Sequence, residues 1–264
     1  MKFTKMHGLG NDYLYVYGDV PENIADISRK LSDRHFGAGS DGMIYIGRSE
    51  TADYSMRIFN ADGSEAKMCG NGIRCVGKYV YDKGYTDKQT LSVETLSGIK
   101  QLKLDVCRGK VKQVSVDMGK GIVVQKLTIN TKGGPVTGFC VSVGNPHFVV
   151  FTEDAASVPL EDIGPEIEHH PSFPGGVNVE FVQVISKQQL KMRVWERGSG
   201  ITMACGTGAC ASVTAAAAEG YCRKGEPVRV DLDGGSLEIS IDDVSNITMT
   251  GPAATVYEGE TELC

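Results

Sequence analysis

Two cysteines followed by glycines are the residues of this sequence with the clearest capacity for chemistry. Cys69 opens the tetrapeptide Cys-Gly-Asn-Gly, and Cys205 opens Cys-Gly-Thr-Gly. In both places a helical pattern follows, so each thiol is expected at a helix N-terminus. Free backbone N–H groups and the helix dipole stabilise a thiolate there, and lower a thiol pKa that is about 8.5 when unperturbed. Each motif therefore predicts a cysteine base beside backbone donors that suit a carboxylate.

The two motifs belong to an internal repeat. The offset between the cysteines, 205 minus 69, is 136 residues, and other matching segments lie within two residues of that offset. The matching segments are 10–11 with 144–145, 57–60 with 193–196, 69–72 with 205–208, and 84–85 with 220–221. The sequence therefore predicts two homologous halves, each with a strand, a glycine-rich turn, a helix and further strands.

The remaining patterns favour an α+β fold rich in antiparallel strands. Short, nearly alternating apolar segments ended by Gly, Asp or Asn predict strands, and apolar residues at helical spacing predict helices. The predicted strands include 42–46, 91–95, 179–184 and 228–232, and the predicted helices are 22–35, 71–83 and 207–219. We expect an N-terminal lobe of residues 1–115, completed by 249–264, and a C-terminal lobe of residues 116–248.

One thiol in each half suits the inversion of a carbon stereocentre. Such a reaction needs one group to remove a proton and another to return a proton to the opposite face of the carbon. Preorganised N–H donors at the helix ends would stabilise the charge that moves into the carboxylate of the substrate. No sequence feature requires a pyridoxal or nucleotide cofactor, and the cysteine spacing is poor for structural zinc. The pattern therefore favours an epimerase that works without a cofactor or metal.

Polar residues near the motifs are candidates for substrate binding. Glu196 and Arg197 follow a predicted strand and suit an ammonium and a carboxylate, respectively. His147 follows a Gly-Asn turn and aligns near Tyr13 of the first half. It could therefore line the cleft between the halves or have a purely structural role. The other six cysteines are expected to take no part in the chemistry: Cys75, Cys107, Cys140, Cys210, Cys222 and Cys264.

Charge and hydropathy exclude two classes of partner. The net charge is −6 and the sequence pI is about 5.4, without a run of Lys or Arg, so we expect no nucleic acid partner. The N-terminus lacks the apolar region of a signal peptide, and the apolar runs are too short to cross a bilayer. We therefore expect a cytoplasmic protein with reduced thiols and no membrane partner.

The sequence resembles the diaminopimelate epimerases over nearly its whole length and in the order of their motifs. The matching stretches are 5–13, 59–65, 68–75, 144–147, 178–182, 196–200 and 204–210. Two small departures occur: Tyr13 stands where Phe is frequent, and Gly42 stands where some members have a Gln that contacts substrate.

The resemblance implies the interconversion of LL- and meso-diaminopimelate, a diamino-dicarboxylate used for lysine and peptidoglycan synthesis. It implies two pseudo-symmetric lobes, each a mostly antiparallel β-sheet curled around a central helix, with a cleft between them, and a homodimer without cofactor. Cys69 and Cys205 would be the two bases, with His147 and Glu196 close to the thiols and the α-amino group. The implied substrate-binding residues are Asn11, Asn60, Gly70, Asn71, Asn145, Asn178, Glu196, Arg197, Gly206 and Thr207.

Three alternatives remain open at this point. A proline or hydroxyproline racemase of the same fold would also use two thiols, although its smaller substrate needs fewer polar partners. A phenazine-type isomerase of similar fold is less favoured because both cysteine positions hold thiols. A redox-sensing protein would use the thiols without catalysis, but it leaves the polar residues around them unexplained.

Overall fold

The protein, seen here in a computed structural model, is described for residues 1–262; Leu263 and Cys264 lie outside the described residues. The chain forms two compact units. Unit 1 comprises Met1–Val116 together with the chain from Gly251 onward, and unit 2 comprises Asp117–Thr250. The predicted completing segment 249–264 therefore includes two residues, Cys264 among them, of which nothing structural is described.

The described residues form eighteen strands and four helices. The strands are β1 (Lys2–Gly8), β2 (Asn11–Tyr17), β3 (Gly42–Gly47), β4 (Tyr54–Asn60), β5 (Glu65–Ala66), β6 (Thr90–Thr95), β7 (Gly98–Cys107), β8 (Lys110–Lys120), β9 (Ile122–Thr131), β10 (Gly134–Ser142), β11 (Pro146–Phe151), β12 (Asn178–Ser186), β13 (Gln189–Glu196), β14 (Gly200–Ile201), β15 (Val228–Leu232), β16 (Gly235–Ile241), β17 (Asn246–Pro252) and β18 (Ala254–Glu260). The helices are α1 (Ile24–Ser32), α2 (Gly70–Asp82), α3 (Leu160–Glu168) and α4 (Gly206–Ala218).

The two units repeat one sheet topology. In unit 1 the strands lie in the order β18-β1-β2-β3-β4-β6-β7-β8, and all neighbours are antiparallel except β2 with β3 and β4 with β6. In unit 2 the order is β9-β10-β11-β12-β13-β15-β16-β17, and only β11 with β12 and β13 with β15 are parallel. The parallel pairs occupy equivalent places, which confirms the predicted α+β fold with a duplicated, mostly antiparallel sheet.

Each unit buries one long helix against its sheet. In α2, Gly77 allows close approach, because an added Cβ would lie 2.9 Å from the Leu104 side chain on β7. In α4, the small side chains of an alanine-rich sequence are buried around nearly the whole circumference. A helix that is apolar all round is typical of a fully enclosed position. These buried helices hold the two cysteine motifs at their N-termini.

Three of the four helices are predicted by the sequence, and α3 is not. The predicted helix 22–35 is shorter in the structure, and the predicted helices 71–83 and 207–219 each begin one residue earlier. Helix α3 contains Gly164 and Pro165, which interrupt its helical signal. An added Cβ on Gly164 would lie 2.5 Å from the Trp195 ring, so the glycine is required by packing. Within the described part of the chain, no helix has the length and apolar character needed to cross a lipid bilayer.

Candidate active site

Cys69 caps the first turn of α2. Its backbone is extended, with φ −139° and ψ 111°, and the Gly72 N–H donates to its Sγ at 3.3 Å. The half-buried thiol in turn donates to Oδ1 of Asn11, at the start of β2, at 3.2 Å. The structure therefore brings together Cys69 and Asn11, two of the predicted site residues, in unit 1.

A buried arginine holds the amide of Asn71. Arg74 is fully buried in α2, and its Nη1 donates to Asn71 Oδ1 and to the Gly70 carbonyl, each at 3.1 Å. Its Nε donates to the Pro252 carbonyl at 3.1 Å. The buried Arg74 guanidinium thus fixes the first turn of α2. Gly70 and Asn71, whose backbone groups are predicted to hold a carboxylate, lie in that turn.

The Asn60 side chain, in unit 1, bonds to a residue outside the predicted site. Asn60 ends β4, is half-buried, and its Nδ2 donates to Ser64 Oγ at 3.1 Å. Its place at the end of a strand agrees with the repeat, since Glu196 ends the equivalent strand β13. Its partner in the structure is a turn residue.

A group of charged residues beside Asn11 was missed by sequence reasoning. Asn11 Nδ2 donates to Asp41 Oδ2 at 2.8 Å, and Arg34 bridges Asp41 and Asp12 with Nη2 2.9 Å from each carboxylate. Lys5, which is buried, pairs with Asp12 as well. Burial alone would raise the pKa of Asp12, but hydrogen bonds from Arg34 and Lys5 lower it below its usual value. These residues are far apart in sequence, so no local pattern marks them.

Cys205 repeats the capping geometry in unit 2. Its backbone has φ −116° and ψ 111°, and the Gly208 N–H donates to Sγ at 3.3 Å. The Thr207 hydroxyl lies 3.5 Å from the same sulfur. Unlike Cys69, Cys205 is buried, with only 4% of its surface exposed.

Burial and two carboxylates disfavour the Cys205 thiolate. Desolvation raises the pKa of Cys205 well above its usual value, and the negative charges of Glu196 and Glu180 raise it further. Burial also raises the pKa of Glu196, although Thr202 Oγ1 donates to its Oε1 at 2.5 Å. The expectation that a helix N-terminus lowers the pKa of this thiol is therefore wrong for Cys205, because burial and the two carboxylates outweigh the backbone donors and favour the neutral thiol.

His147 lies at the centre of a buried hydrogen-bond chain. Its Nδ1 is 2.6 Å from Glu180 Oε1 and its Nε2 is 3.1 Å from Asn145 Oδ1. Asn145 Nδ2 then donates to Thr207 Oγ1 at 3.3 Å. The structure thus joins four predicted site residues, including Cys205, and adds Glu180. The one sequence signal for Glu180 was an acidic residue inside an apolar strand, a rare position unless the charge is paired.

Asn178 fixes the backbone beside Arg197. Its Nδ2 donates to the Pro146 carbonyl at 2.9 Å, and its Oδ1 accepts from the Arg197 N–H at 3.0 Å. The Arg197 side chain is exposed, and its Nη1 donates to the Gly175 carbonyl at 3.2 Å. Most donors of this guanidinium thus face outward, where a carboxylate could reach them.

Solved structures that share this fold include isomerases acting on amino acids. The chain is similar to a hydroxyproline epimerase from Agrobacterium vitis, with a TM-score of 0.78, 18% identity, and coverage of 98% of this chain and 91% of that chain. It is equally similar in fold to a phenazine biosynthesis protein from Bacillus anthracis, with a TM-score of 0.78, 17% identity, and coverage of 99% and 98%. These likenesses show the class of fold: a duplicated, mostly antiparallel α+β fold that this chain shares with both proteins.

Sequence similarity identifies the family within that class. The chain belongs to the diaminopimelate epimerase family, whose profile matches residues 3–124 and 139–256. Diaminopimelate epimerases of Acetivibrio thermocellus and Methanococcus maripaludis are 51% and 52% identical to it, over 100% of this chain and 99% and 100% of theirs. That of Phocaeicola vulgatus is 51% identical, over 100% of this chain and 99% of its own.

Proposed function

We propose that this protein interconverts LL- and meso-diaminopimelate by exchanging the α-proton with Cys69 and Cys205. One observation carries the proposal: in each unit a thiol caps a buried helix and accepts a backbone N–H from the third residue of that helix. This repeated geometry occurs in a chain about half identical, over its full length, to curated diaminopimelate epimerases.

The proposed reaction uses one sulfur as base and the other as acid. A thiolate removes the α-proton from one face of the carbon, and the thiol of the other cysteine delivers a proton to the opposite face. The sulfurs exchange roles when the reaction runs in reverse. Backbone N–H groups at Gly70 and Asn71, and at Gly206 and Thr207, would stabilise negative charge on the substrate carboxylate.

Glu196 and His147 are proposed to act around Cys205. A substrate ammonium beside Glu196 would favour its carboxylate form, which burial disfavours in the substrate-free protein. The raised pKa of Cys205 suits the thiol to proton delivery when substrate first binds. Cys205 is therefore proposed as the initial proton donor.

The asparagines and Arg197 are proposed to recognise the substrate, including its distal amino-acid end. The exposed Arg197 guanidinium has donors beyond the one used on Gly175, and could hold a carboxylate in bidentate fashion. Four asparagines each have a side-chain amide with a hydrogen-bond donor and an acceptor: Asn11, Asn60, Asn145 and Asn178. Together they suit a substrate with a charged group of each sign at both ends.

Hydrogen exchange at the α-carbon tests the function. The purified protein is incubated with LL-diaminopimelate in deuterium oxide without added cofactor, and mass and stereochemistry of the amino acid are followed. We expect deuterium at the α-carbon together with meso-diaminopimelate, and no exchange with the Cys69→Ala variant. Fast exchange of proline or hydroxyproline, with none of diaminopimelate, would assign the protein to the racemases of this fold.

We further propose that the enzyme works as a homodimer in the cytoplasm. Both points follow from the resemblance to the family, and the seven described cysteines are all present as free thiols. Sedimentation of the purified protein at several concentrations tests the assembly. A single species with the mass of one chain, 28.3 kDa, at all concentrations would contradict the dimer.

A further inference from the structure

Glu180 is a buried acidic residue without a role in the reaction described above. Its side chain has no exposed surface, and among the described residues its Oε2 has no hydrogen-bond partner. Its Oε1 contacts His147 Nδ1 at 2.6 Å. Burying a carboxylate is costly unless it is paired, so the packing of the strand alone gives no reason for this residue.

The equivalent place in unit 1 shows that the fold needs no carboxylate there. An added Cβ on Gly208 would lie 2.7 Å from Glu180 Oε1, so the carboxylate packs against the first turn of α4. An added Cβ on Gly72 would lie 2.6 Å from Ile44 Cδ1, so an isoleucine packs against the first turn of α2. Ile44 and Glu180 occupy equivalent strands, β3 and β12. An apolar side chain therefore suffices for packing, and Glu180 needs another explanation.

The hydrogen bonds that lead from His147 to Cys205 all run in one direction. Asn145 donates through Nδ2 to Thr207, so its Oδ1 accepts from His147, and Nε2 of the imidazole carries a proton. The Thr207 oxygen accepts from Asn145, and its own proton is then free to point at Cys205 Sγ, 3.5 Å away. Each group thus donates to the next one toward the sulfur.

The contact between His147 and Glu180 has no net charge in either of its protonation states. With the proton on Nδ1, an imidazolium faces a carboxylate; with the proton on Oε1, a neutral imidazole faces a carboxylic acid. In both states Glu180 occupies Nδ1, so Nε2 keeps its proton and remains the donor to Asn145, and the direction of the chain is preserved.

We propose that Glu180 is a positioning residue that acts through His147, Asn145 and Thr207 to hold a hydroxyl donor on the sulfur of Cys205. The inference rests on the proposed function, in which Cys205 exchanges a proton with substrate. The hydroxyl stabilises the thiolate formed when Cys205 gives up its proton, and so offsets part of the cost of burying that charge.

Two variants of Glu180 and one control test the proposal. Glu180→Ile reproduces the side chain that unit 1 has in this place and removes the partner of His147. Glu180→Gln keeps the size and can still donate to Nδ1, so it preserves the direction of the chain without the carboxylate. Glu238→Gln makes the same chemical change on an exposed residue of unit 2, and we expect it to behave as the unaltered protein.

Turnover should separate a positioning role from substrate binding. We expect kcat of Glu180→Ile to fall about tenfold to a hundredfold, the range seen when outer groups that orient a histidine ligand are removed at metal sites. Its KM should stay within about twofold, since no contact with substrate is lost. Glu180→Gln should lie between this variant and the unaltered enzyme. An unchanged kcat in Glu180→Ile would overturn the proposal.

Two readouts that need no turnover distinguish this proposal from the proposed function. A low-field resonance from the proton shared by Glu180 and His147 Nδ1 should be present in Glu238→Gln and absent from Glu180→Gln. Both variants of Glu180 lack its charge, so alkylation of Cys205 should be slower in Glu180→Ile than in Glu180→Gln, while Cys69, the internal reference, reacts at the same rate in both. Equal rates at Cys205 in the two variants, or a faster reaction in Glu180→Ile, would overturn the chain even if diaminopimelate is the substrate. If the resonance and the alkylation rates are as expected but the protein does not turn over diaminopimelate, only the proposed function is contradicted.

Discussion

The N-terminal turns of α2 and α4 are alike in backbone and unlike in charge. Both place a cysteine in extended conformation with a backbone N–H on its sulfur at 3.3 Å. Around Cys69 the polar neighbours are an amide and, within the same helix, a buried guanidinium. Around Cys205 they include two carboxylates and the Thr207 hydroxyl. Duplication thus conserves the geometry that makes a thiol useful, while a few side chains give each copy its own electrostatic surroundings.

The contrast can be traced to single equivalent positions. Arg74 in α2 corresponds to Cys210 in α4, and Ile44 in β3 corresponds to Glu180 in β12. A cation is buried in one unit and an anion with its histidine in the other. The two copies of the repeat therefore place opposite charges near equivalent thiols.

Removing either thiol should have the largest effect on this pair of sites. In Cys69→Ala and Cys205→Ala we expect epimerisation to fall by at least about a thousandfold, since a two-base reaction loses one of its proton carriers. Loss of a helix cap should cost about 0.5–2 kcal/mol of stability, so both variants should remain folded. Assays of diaminopimelate turnover and circular dichroism check the two expectations. Substantial turnover by either folded variant would contradict the two-base scheme.

Adding one methyl group to each turn should separate the two sites. In Gly72→Ala the new Cβ meets the end of Ile44, and in Gly208→Ala it meets the Glu180 carboxylate and lies 3.2 Å from Cys205 Sγ. Overpacking costs about 1–3 kcal/mol in both. We expect kcat to fall further in Gly208→Ala, because the carboxylate and the sulfur must both shift.

Equal losses of kcat at equal stability would show that the two turns are functionally equivalent in spite of their different neighbours. Thermal unfolding of both variants supplies the control, since it separates a general loss of stability from displacement of the reacting groups.

The charged group beside Asn11 should matter for stability in unit 1. Asp12→Asn leaves Lys5, which is buried, without its carboxylate, and we expect a loss of about 2–4 kcal/mol in the free energy of unfolding. The lowered pKa of Asp12 means that its contribution is present above its unfolded value of about 3.8 and is lost as the pH falls further. Urea unfolding at pH 7 and pH 3 measures both effects. Asp105→Asn, an exposed unit 1 change, should have little effect at either pH.

The smallest expected effect concerns Glu196. Its pKa is raised by burial, so the folded protein holds the proton more tightly than the unfolded chain does. Stability should therefore fall as the pH rises above about 4.5, and level off once the folded-state pKa is passed. Glu196→Gln lacks this ionisation and should melt a few degrees higher near neutrality, about the shift expected for 1 kcal/mol, while losing activity. Melting temperatures between pH 4.5 and 8 check this; a lower melting temperature for Glu196→Gln at pH 7 would contradict it.

Local sequence was sufficient to predict the repeated framework. Glycines after each cysteine marked the helix starts, and period-two patterns marked strands such as β3 and β12 because one backbone conformation imposes that period. Helix α3 was missed because Gly164 and Pro165 are unfavourable in isolated helices, and only packing against Trp195 explains the glycine.

Contacts between distant residues could not be predicted in this way. Neither the link from Arg34 to Asp12 and Asp41 nor that from His147 to Glu180 follows from spacing, because each depends on which strands become neighbours. The opposition of the two thiols across one substrate, the predicted domain limits and the roles of the site residues stay predictions, to be decided by the experiments above.

Strand β18 has a consequence for how the protein is made. It pairs with β1 from Lys2 with Glu260 to His7 with Ala254, so β1 waits for a strand that is synthesised much later. Unit 2 is continuous from Asp117 to Thr250 and leaves the ribosome before that partner does. At translation rates of about 5–20 residues per second, the edge of β1 stays uncovered for roughly ten to fifty seconds, a period in which a nascent-chain chaperone has an open strand edge to shield.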